Sequence, residues 1–168
     1  HNGRRRQRQM CIRDRTGMAI LALIGFFNII GTLIMGYLGD KYSKMVLLSG
    51  LYFLRGITLI LFIFLPASNL SAVLFGTTFG LLWLATVPAT NGIVAQIFGT
   101  KNLTLLFGIV FLNHQFGSFL GAYLGGYFYD SFGSFDYAWY LAIVLSFIAT
   151  ALHLPIDEKP LETVDKTI

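Results

Sequence analysis

The apolar positions of this chain form five long blocks, and short polar breaks separate one block from the next. An α-helix needs about 20 apolar residues to cross the hydrocarbon core of a bilayer. Each block reaches or approaches that length, so the pattern predicts an all-α, polytopic membrane helix bundle with five transmembrane helices. The predicted spans are residues 16–38, 45–65, 71–98, 103–128 and 137–155.

Composition supports a membrane protein and excludes several other classes. Hydrophobic residues make up 55% of the chain and charged residues only 12%, against about 25% in an ordinary soluble domain. Mean hydropathy is +0.69. These values argue against a disordered chain and against a soluble enzyme. Cys11 is the one cysteine, so an intrachain disulfide is impossible.

The first 15 residues differ from everything that follows. This leader, HNGRRRQRQMCIRDR, holds six of the 12 basic residues, whereas residues 16–168 hold six basic and seven acidic ones. An arm that binds nucleic acid or anionic lipid is one interpretation. The stretch QMCIRDR resembles a translated sequencing adapter, and we therefore expect residues 1–15 to be non-native and expect no nucleic-acid partner.

The lysines, none of which lies in the leader, predict the orientation of the chain in the membrane. They lie in the first break, the third break and the tail, whereas the second and fourth breaks contain no Lys or Arg. Lysine and arginine near span ends mark the cytoplasmic side. We therefore expect a cytoplasmic C-terminus. The residues concerned are Lys41, Lys44, Lys101, Lys159 and Lys166.

The first break carries a recognisable motif, Gly-Tyr-Leu-Gly-Asp-Lys-Tyr-Ser-Lys at residues 36–44. It resembles the G-x-x-x-D-[R/K]-x-G-[R/K]-[R/K] signature of the major facilitator superfamily. Ser43 replaces the second glycine and Met45 the last basic residue, which is typical of the weaker copy between helices eight and nine. The matching positions are Gly36, Gly39, Asp40, Lys41 and Lys44.

The resemblance implies a carrier of twelve helices in two halves, which moves a small solute by alternating access and needs no cofactor. Residues 16–168 would be helices eight to twelve, and the missing N-terminal half would be the partner. The stretch 111–139 resembles the eleventh helix and following loop of bacterial relatives of the monocarboxylate transporters, which implies a bacterial inner membrane. That branch has an Asp and an Arg one turn apart on helix eight, where this chain has Asn28 and Thr32, so a monocarboxylate substrate stays open.

Polar side chains within the spans are the candidate substrate ligands. Such groups are costly in hydrocarbon and usually face a bundle interior or a cavity. The resemblance implies that the first, third and fourth spans line the central cavity. Hydrogen bonds between helices are the alternative role. The candidates are Asn28, Asn91 and His114, with Gln115 and Asn113 as reserves. His114 also suits proton coupling, because imidazole titrates near neutral pH.

Arg55 is the one full charge deep within a span, about 15 Å of helix from either end. An intramembrane arginine suggests a functional site, here for an anion. The resemblance, however, implies that helix nine supports the bundle outside the cavity. We therefore favour a structural arginine with a polar partner on a neighbouring helix.

Two backbone features are predicted from residue type. Gly117, Gly121 and Gly125 form two successive small-x-x-x-small steps on the fourth span, which would admit a neighbouring helix closely. Pro88 lacks an amide proton and its ring clashes with the carbonyl of Leu84, so the third span should kink there.

Two other functions compete with a carrier. An intramembrane enzyme is disfavoured because the spans contain no carboxylate and no His or Cys pair at metal-ligand spacing, which also predicts no metal site. His114 and His153 are expected at different depths on different spans. A non-catalytic membrane scaffold remains the alternative, and the motif at residues 36–44 favours the carrier.

Overall fold

The computed structural model describes the backbone of residues 2–66 and 68–161 and the side chains of residues 17–66 and 68–161. The side chains of the leader and Lys166 of the tail lie outside this described part. Every regular element within it is an α-helix, and the predicted all-α bundle is confirmed. The helices are α1 (Asn2–Gly39), α2 (Lys44–Phe64), α3 (Asn69–Trp83), α4 (Thr86–Phe98), α5 (Leu103–Phe132) and α6 (Asp136–His153).

Five helical stretches of the described chain are long and apolar enough to cross a membrane, as the hydrophobic pattern predicted. They are Gly17–Gly39, Lys44–Phe64, Asn69–Phe98, Leu103–Phe132 and Asp136–His153. The fourth is four residues longer at its C-terminal end than the pattern indicated. It stops at Gly133, whose φ of 69° is the left-handed conformation that glycine adopts without a steric penalty.

Serine side chains fix the starts of two helices. Ser43 is the N-cap of α2, and its Oγ accepts from the backbone N–H of Val46 at 3.4 Å. Ser68 and Ser71 form a reciprocal capping box at the start of α3, in which each hydroxyl accepts from the other residue's backbone N–H. Ser43, which stands where the resembled signature has its second glycine, therefore caps the start of α2.

The third span is two helices rather than one. Helix α3 ends at Trp83 and α4 begins at Thr86, so Leu84 and Ala85 form the break. Pro88 lies four residues beyond Leu84, at the spacing where its missing N–H and its ring interrupt the helical ladder. The helix is therefore interrupted one turn before Pro88, near the position where the sequence predicts a kink. We call Leu84 and Ala85 with their flanking residues, 82–86, the helix break.

The helices pack as two main pairs, α1 with α3 and α2 with α6, and α4 lies against both α1 and α2. The buried core forms where α1, α2 and α4 meet. It consists of Met35, Leu48, Leu51, Ala85, Ala89 and Ile93. Helix α5 touches α4 and α6 only lightly, and none of its residues is buried.

Glycines bring α1 and α3 into backbone contact. A Cβ at Gly31 would strike the backbone oxygen of Leu81, and a Cβ at Gly80 would lie 2.7 Å from the backbone oxygen of Ile24. On α5 the situation is opposite, because no described atom lies within 4 Å of the Cβ positions of Gly117, Gly121 and Gly125. The packing role predicted for these three glycines stays a prediction.

Candidate functional site

The helix break exposes backbone groups that an unbroken helix would pair internally, and two side chains bind them. The Nη2 of Arg55 donates to the carbonyl oxygens of Leu82 at 2.7 Å and Trp83 at 2.9 Å. The Oδ1 of Asn28 accepts from the backbone N–H of Leu84 at 2.8 Å. Residues on α1 and α2 thus hold the break between α3 and α4.

Arg55 has a mixed polar and aromatic environment. Its guanidinium carbon lies 5.1 Å from the centre of the Tyr52 ring, within the range of a cation–π contact. Its Nε is buried and has no hydrogen-bond partner among the described residues. The polar partner expected for this arginine is therefore the backbone of the neighbouring α3 rather than a side chain.

Arg55 also lines a cavity of about 510 Å³ between α2, the helix break, α5 and α6. Polar and aromatic side chains share its wall. The polar ones include Arg55, Thr90, His114 and His153, and the aromatic ones include Trp83 and Phe107. A larger space of about 670 Å³ between α2, α3 and α6 also reaches Arg55, but its lining is mostly apolar. We call the 510 Å³ space the main cavity because it holds the polar groups. Its size and its mixture of apolar surface with a few polar groups suit a small organic ligand.

Both histidines predicted at different depths line the main cavity. His114 is exposed on α5, where its ring stacks on Phe111 with centres 5.9 Å apart. His153 ends α6, where its ring stacks on Tyr52 at 5.0 Å and its Nδ1 lies 2.7 Å from the carbonyl oxygen of Ala149. Span assignment alone does not reveal this shared wall, because it depends on where the helices cross.

Asn28 belongs to a second cavity, of about 420 Å³, on the α1 side of the helix break. Thr32 lines it too, and its hydroxyl donates to the carbonyl of Asn28 at 2.8 Å. Leu84 contributes to the walls of both cavities. The structure therefore separates two leading candidates, since Asn28 and His114 lie on opposite sides of the break.

The other predicted substrate residues are not among those lining either cavity. Asn91 is half-buried in α4. Asn113 is exposed and its Nδ2 donates to the carbonyl of Ile109 at 2.9 Å, one turn back on the same helix. Gln115 is exposed on α5. Their role as ligands stays a prediction.

The motif loop at residues 36–44 is held by its own lysines. Lys41 donates to the hydroxyl of Tyr37, and its Nζ lies 4.2 Å from the centre of that ring. The Nζ of Lys44 donates to Oε1 of Gln96 on α4 at 3.0 Å. Gly39 is buried and Asp40 is exposed. The loop thus links the start of α2 to the end of α4.

The segment after α6 joins the same end of the bundle, which sequence reasoning missed. The Oε1 of Glu158 accepts from the backbone N–H of Met45 at 2.5 Å and from the hydroxyl of Ser43 at 2.9 Å. Its own carbonyl accepts from Nε2 of Gln96 at 3.1 Å. A carboxylate at a helix N-terminus is stabilised by the helix dipole. The first break, the end of α4 and the described tail therefore meet at one end.

Asp157, next to Glu158, has a separate and exposed partner. Its carboxylate accepts from the backbone N–H of Lys159 at 3.1 Å and forms an ion pair with the Lys159 ammonium at 3.2 Å. The backbone hydrogen bond, followed by the side-chain contact, lowers the pKa of Asp157. Both side chains of the ion pair are largely exposed, so it adds little to stability.

A cavity with a few polar groups inside a bundle of helices long enough to span a membrane is typical of membrane transport proteins. The family model of the Major Facilitator Superfamily matches residues 12–167, and the chain belongs to this superfamily. Members of this superfamily bind and move small solutes.

One relative from a bacterium matches part of the chain. An uncharacterised MFS-type transporter, YcxA of Bacillus subtilis (strain 168), is 34% identical over 116 residues. The match covers 66% of this chain and 28% of the relative, so it spans little more than a quarter of that protein. No solved structure matches the chain.

Proposed function

We propose that residues 16–168 are helices eight to twelve of a secondary carrier that moves a small solute by alternating access. The match covers only 28% of the Bacillus subtilis relative, which supports a chain that forms part of a longer carrier. The motif loop lies between the first two spans, where the second copy of the superfamily signature belongs. The N-terminal half of the carrier is then the partner of this bundle, and the leader at residues 1–15 is not native to it.

The membrane setting of the proposal follows from the lysines. The first break, the end of α4 and the described tail meet at one end of the bundle, which supports a common side for Lys41, Lys44 and Lys159. The positive-inside rule makes that side cytoplasmic, in the inner membrane of a bacterium.

The main cavity is the proposed substrate site, and the observation that carries it is the shared wall of His114, Arg55 and His153. His114 contacts the solute and is the candidate proton carrier of a coupled cycle. Aromatic walls and few polar groups fit a small organic solute with an apolar body. Asn28, Asn91, Asn113 and Gln115 are secondary candidates, which would join the site in another conformation of the carrier.

A monocarboxylate-like anion is the second candidate substrate, favoured by Arg55 in the cavity wall. Against it, the Nη2 group of Arg55 already donates to two carbonyl oxygens. The charged pair of the monocarboxylate branch is also absent, because Asn28 and Thr32 occupy its positions.

The proposal is tested in proteoliposomes that contain the complete carrier and an internal pH dye. A panel of small carboxylates and of neutral apolar solutes is screened for uptake. We expect His114→Ala to lower the uptake rate at least tenfold with unchanged protein in the membrane, and Arg55→Ala mainly to lower the yield of folded protein. Leu112→Ala, on the same helix and exposed, is the matched control.

The opposite pattern contradicts the assignment of His114. If Arg55→Ala abolishes uptake at normal yield while His114→Ala transports normally, Arg55 is the anion site. If no member of the panel enters and the wild-type carrier moves no proton, the carrier proposal itself fails.

A further inference from the structure

The helix break creates an energetic problem in the middle of the third membrane-spanning stretch. Backbone N–H and C=O groups that leave the helical ladder cost several kcal/mol each in hydrocarbon unless another group binds them. Within the break, the N–H of Val87 donates to the carbonyl of Leu84 at 2.9 Å and the hydroxyl of Thr86 donates to Trp83 at 3.3 Å. These local bonds leave the carbonyl of Leu82 and the N–H of Leu84 to groups from elsewhere.

Arg55 and Asn28 supply those groups from two helices on opposite sides of the break. Arg55 provides donors to carbonyls at the end of α3, and Asn28 provides an acceptor to the first free amide after it. Each residue type therefore matches the polarity of the backbone group it meets. The Arg55 guanidinium and the neutral Asn28 amide together bind the free backbone groups of the break, so no second charge enters the span.

We infer that Arg55 and Asn28 form a clamp that fixes the geometry between α3 and α4. The two residues act as positioning residues for the main cavity, because they hold its wall through the break. The wall in question consists of residues on both sides of the break, among them Trp83, Leu84 and Thr90. Only the link to solute binding rests on the proposed function.

The contacts of Arg55 favour a clamp over an anion site. The Nη2 group makes two hydrogen bonds to carbonyl oxygens of the break, and the buried Nε has no hydrogen-bond partner among the described residues. Asn28 lies in the other cavity and so cannot share a ligand with His114 across the break. If substitutions of Arg55 and of Asn28 both alter the main cavity, the change must therefore be transmitted by the break itself.

Hydrogen–deuterium exchange of the 168-residue protein in lipid nanodiscs tests the clamp without any substrate. We expect Arg55→Met and Asn28→Leu each to accelerate amide exchange in residues 82–88 by about tenfold, because each removes hydrogen bonds that hold the break closed. Exchange in the first half of α2 should not change. Arg55→Lys should restore slow exchange, since the ammonium retains several donors.

Two matched controls lie one turn away from the clamp residues. Thr58→Val and Thr32→Val remove hydroxyls that bond only to their own helices, through the carbonyls of Leu54 and Asn28. Neither change should accelerate exchange at the break. A second readout is the reaction rate of Thr90→Cys with N-ethylmaleimide, with Cys11 replaced by serine. Asn28→Leu lies outside the main cavity, yet it should raise this rate several-fold.

Unchanged exchange at residues 82–88 in both clamp variants overturns the inference, as does equal acceleration by the threonine controls. If Arg55→Met does not fold, Asn28→Leu alone decides, because it removes a single hydrogen bond. An unaltered rate at Thr90→Cys would show that the break does not position the cavity wall. Failure of the carrier proposal is separate, since exchange is measured without transport.

Discussion

The contact between α1 and α3 and the outer surface of α5 share one sequence pattern but have opposite surroundings. Gly76 and Gly80 on α3 repeat at the same four-residue spacing as Gly117, Gly121 and Gly125 on α5. Gly80 faces the backbone of Ile24, whereas the three glycines of α5 have no described atom within 4 Å of their Cβ positions.

This difference shows what a stripe of small residues can and cannot predict. Spacing identifies a helix face that a backbone could approach closely, because lipid supplies no hydrophobic drive between helices. Whether a partner lies there depends on the rest of the bundle. On α1 and α3 the partner belongs to the chain, and on α5 the proposed carrier assigns it to the missing half.

The largest effect should follow from Gly31→Ala on the α1 side of the contact. The added Cβ would strike the backbone oxygen of Leu81, which cannot move without shifting α3. Overpacking of this kind lowers the free energy of unfolding by about 1–3 kcal/mol. The measurement is the unfolding free energy of the purified protein, together with its yield in the membrane.

Gly25→Ala is the matched control for that variant, six residues earlier on the same helix. No described atom lies within 4 Å of its Cβ position. Its unfolding free energy should not fall below that of the wild type, because alanine favours a helix over glycine. Equal losses for both variants would show that the α1–α3 contact does not decide tolerance.

A second, smaller effect should follow from Glu158→Gln. The Glu158 carboxylate binds the start of α2, whereas its neighbour Asp157 pairs only with the exposed Lys159. Glu158→Gln removes the charge at the start of α2 and should lower the unfolding free energy by about 0.3–1 kcal/mol. The measurement is again equilibrium unfolding, at low and at high salt. High salt should reduce the difference between Glu158→Gln and the wild type.

Asp157→Asn serves as the control for Glu158, because its ion pair with Lys159 is exposed. We expect no measurable change in its unfolding free energy. A larger loss for Asp157→Asn than for Glu158→Gln would mean that the tail does not dock on α2 as described.

The smallest effect is expected on α5 in the 168-residue chain. Gly121→Leu should change the unfolding free energy by less than about 0.5 kcal/mol there, because the added side chain meets open space. In the complete carrier, the same variant should lower the amount of folded protein more than Leu120→Ala does. Equal yields of the two variants in that carrier would show that the glycine face of α5 meets lipid.

Much of the fold could be predicted because its signals are local. Block length predicts five spans, and Pro88 predicts the interruption of the third one. The contacts of Arg55 and Glu158 could not be predicted in the same way. Their partners are backbone groups 27 and 113 residues away in the chain, and backbone groups leave no residue-type signal in a sequence.

The grouping of residues in the candidate site is even harder to predict from the sequence. Residue types direct attention to Asn28, Arg55 and His114 as polar groups within spans. The helix break then separates them, since Asn28 and His114 line different cavities and Arg55 joins His114. His153 joins that wall although it is the last residue of α6. Such a grouping depends on how helices cross, which a single sequence does not encode at the level of individual positions.

The proposed function requires the five spans to cross the membrane in the orientation of a carrier half. Labelling of single cysteines in intact cells tests it directly, with Cys11 replaced by serine. Cysteines introduced at Ser68 and Ser134 should react with an impermeant thiol reagent in intact cells. A cysteine at Ser43, in the motif loop, should react only after lysis. Labelling of Ser43 in intact cells, with protection of Ser68 and Ser134, would contradict that orientation.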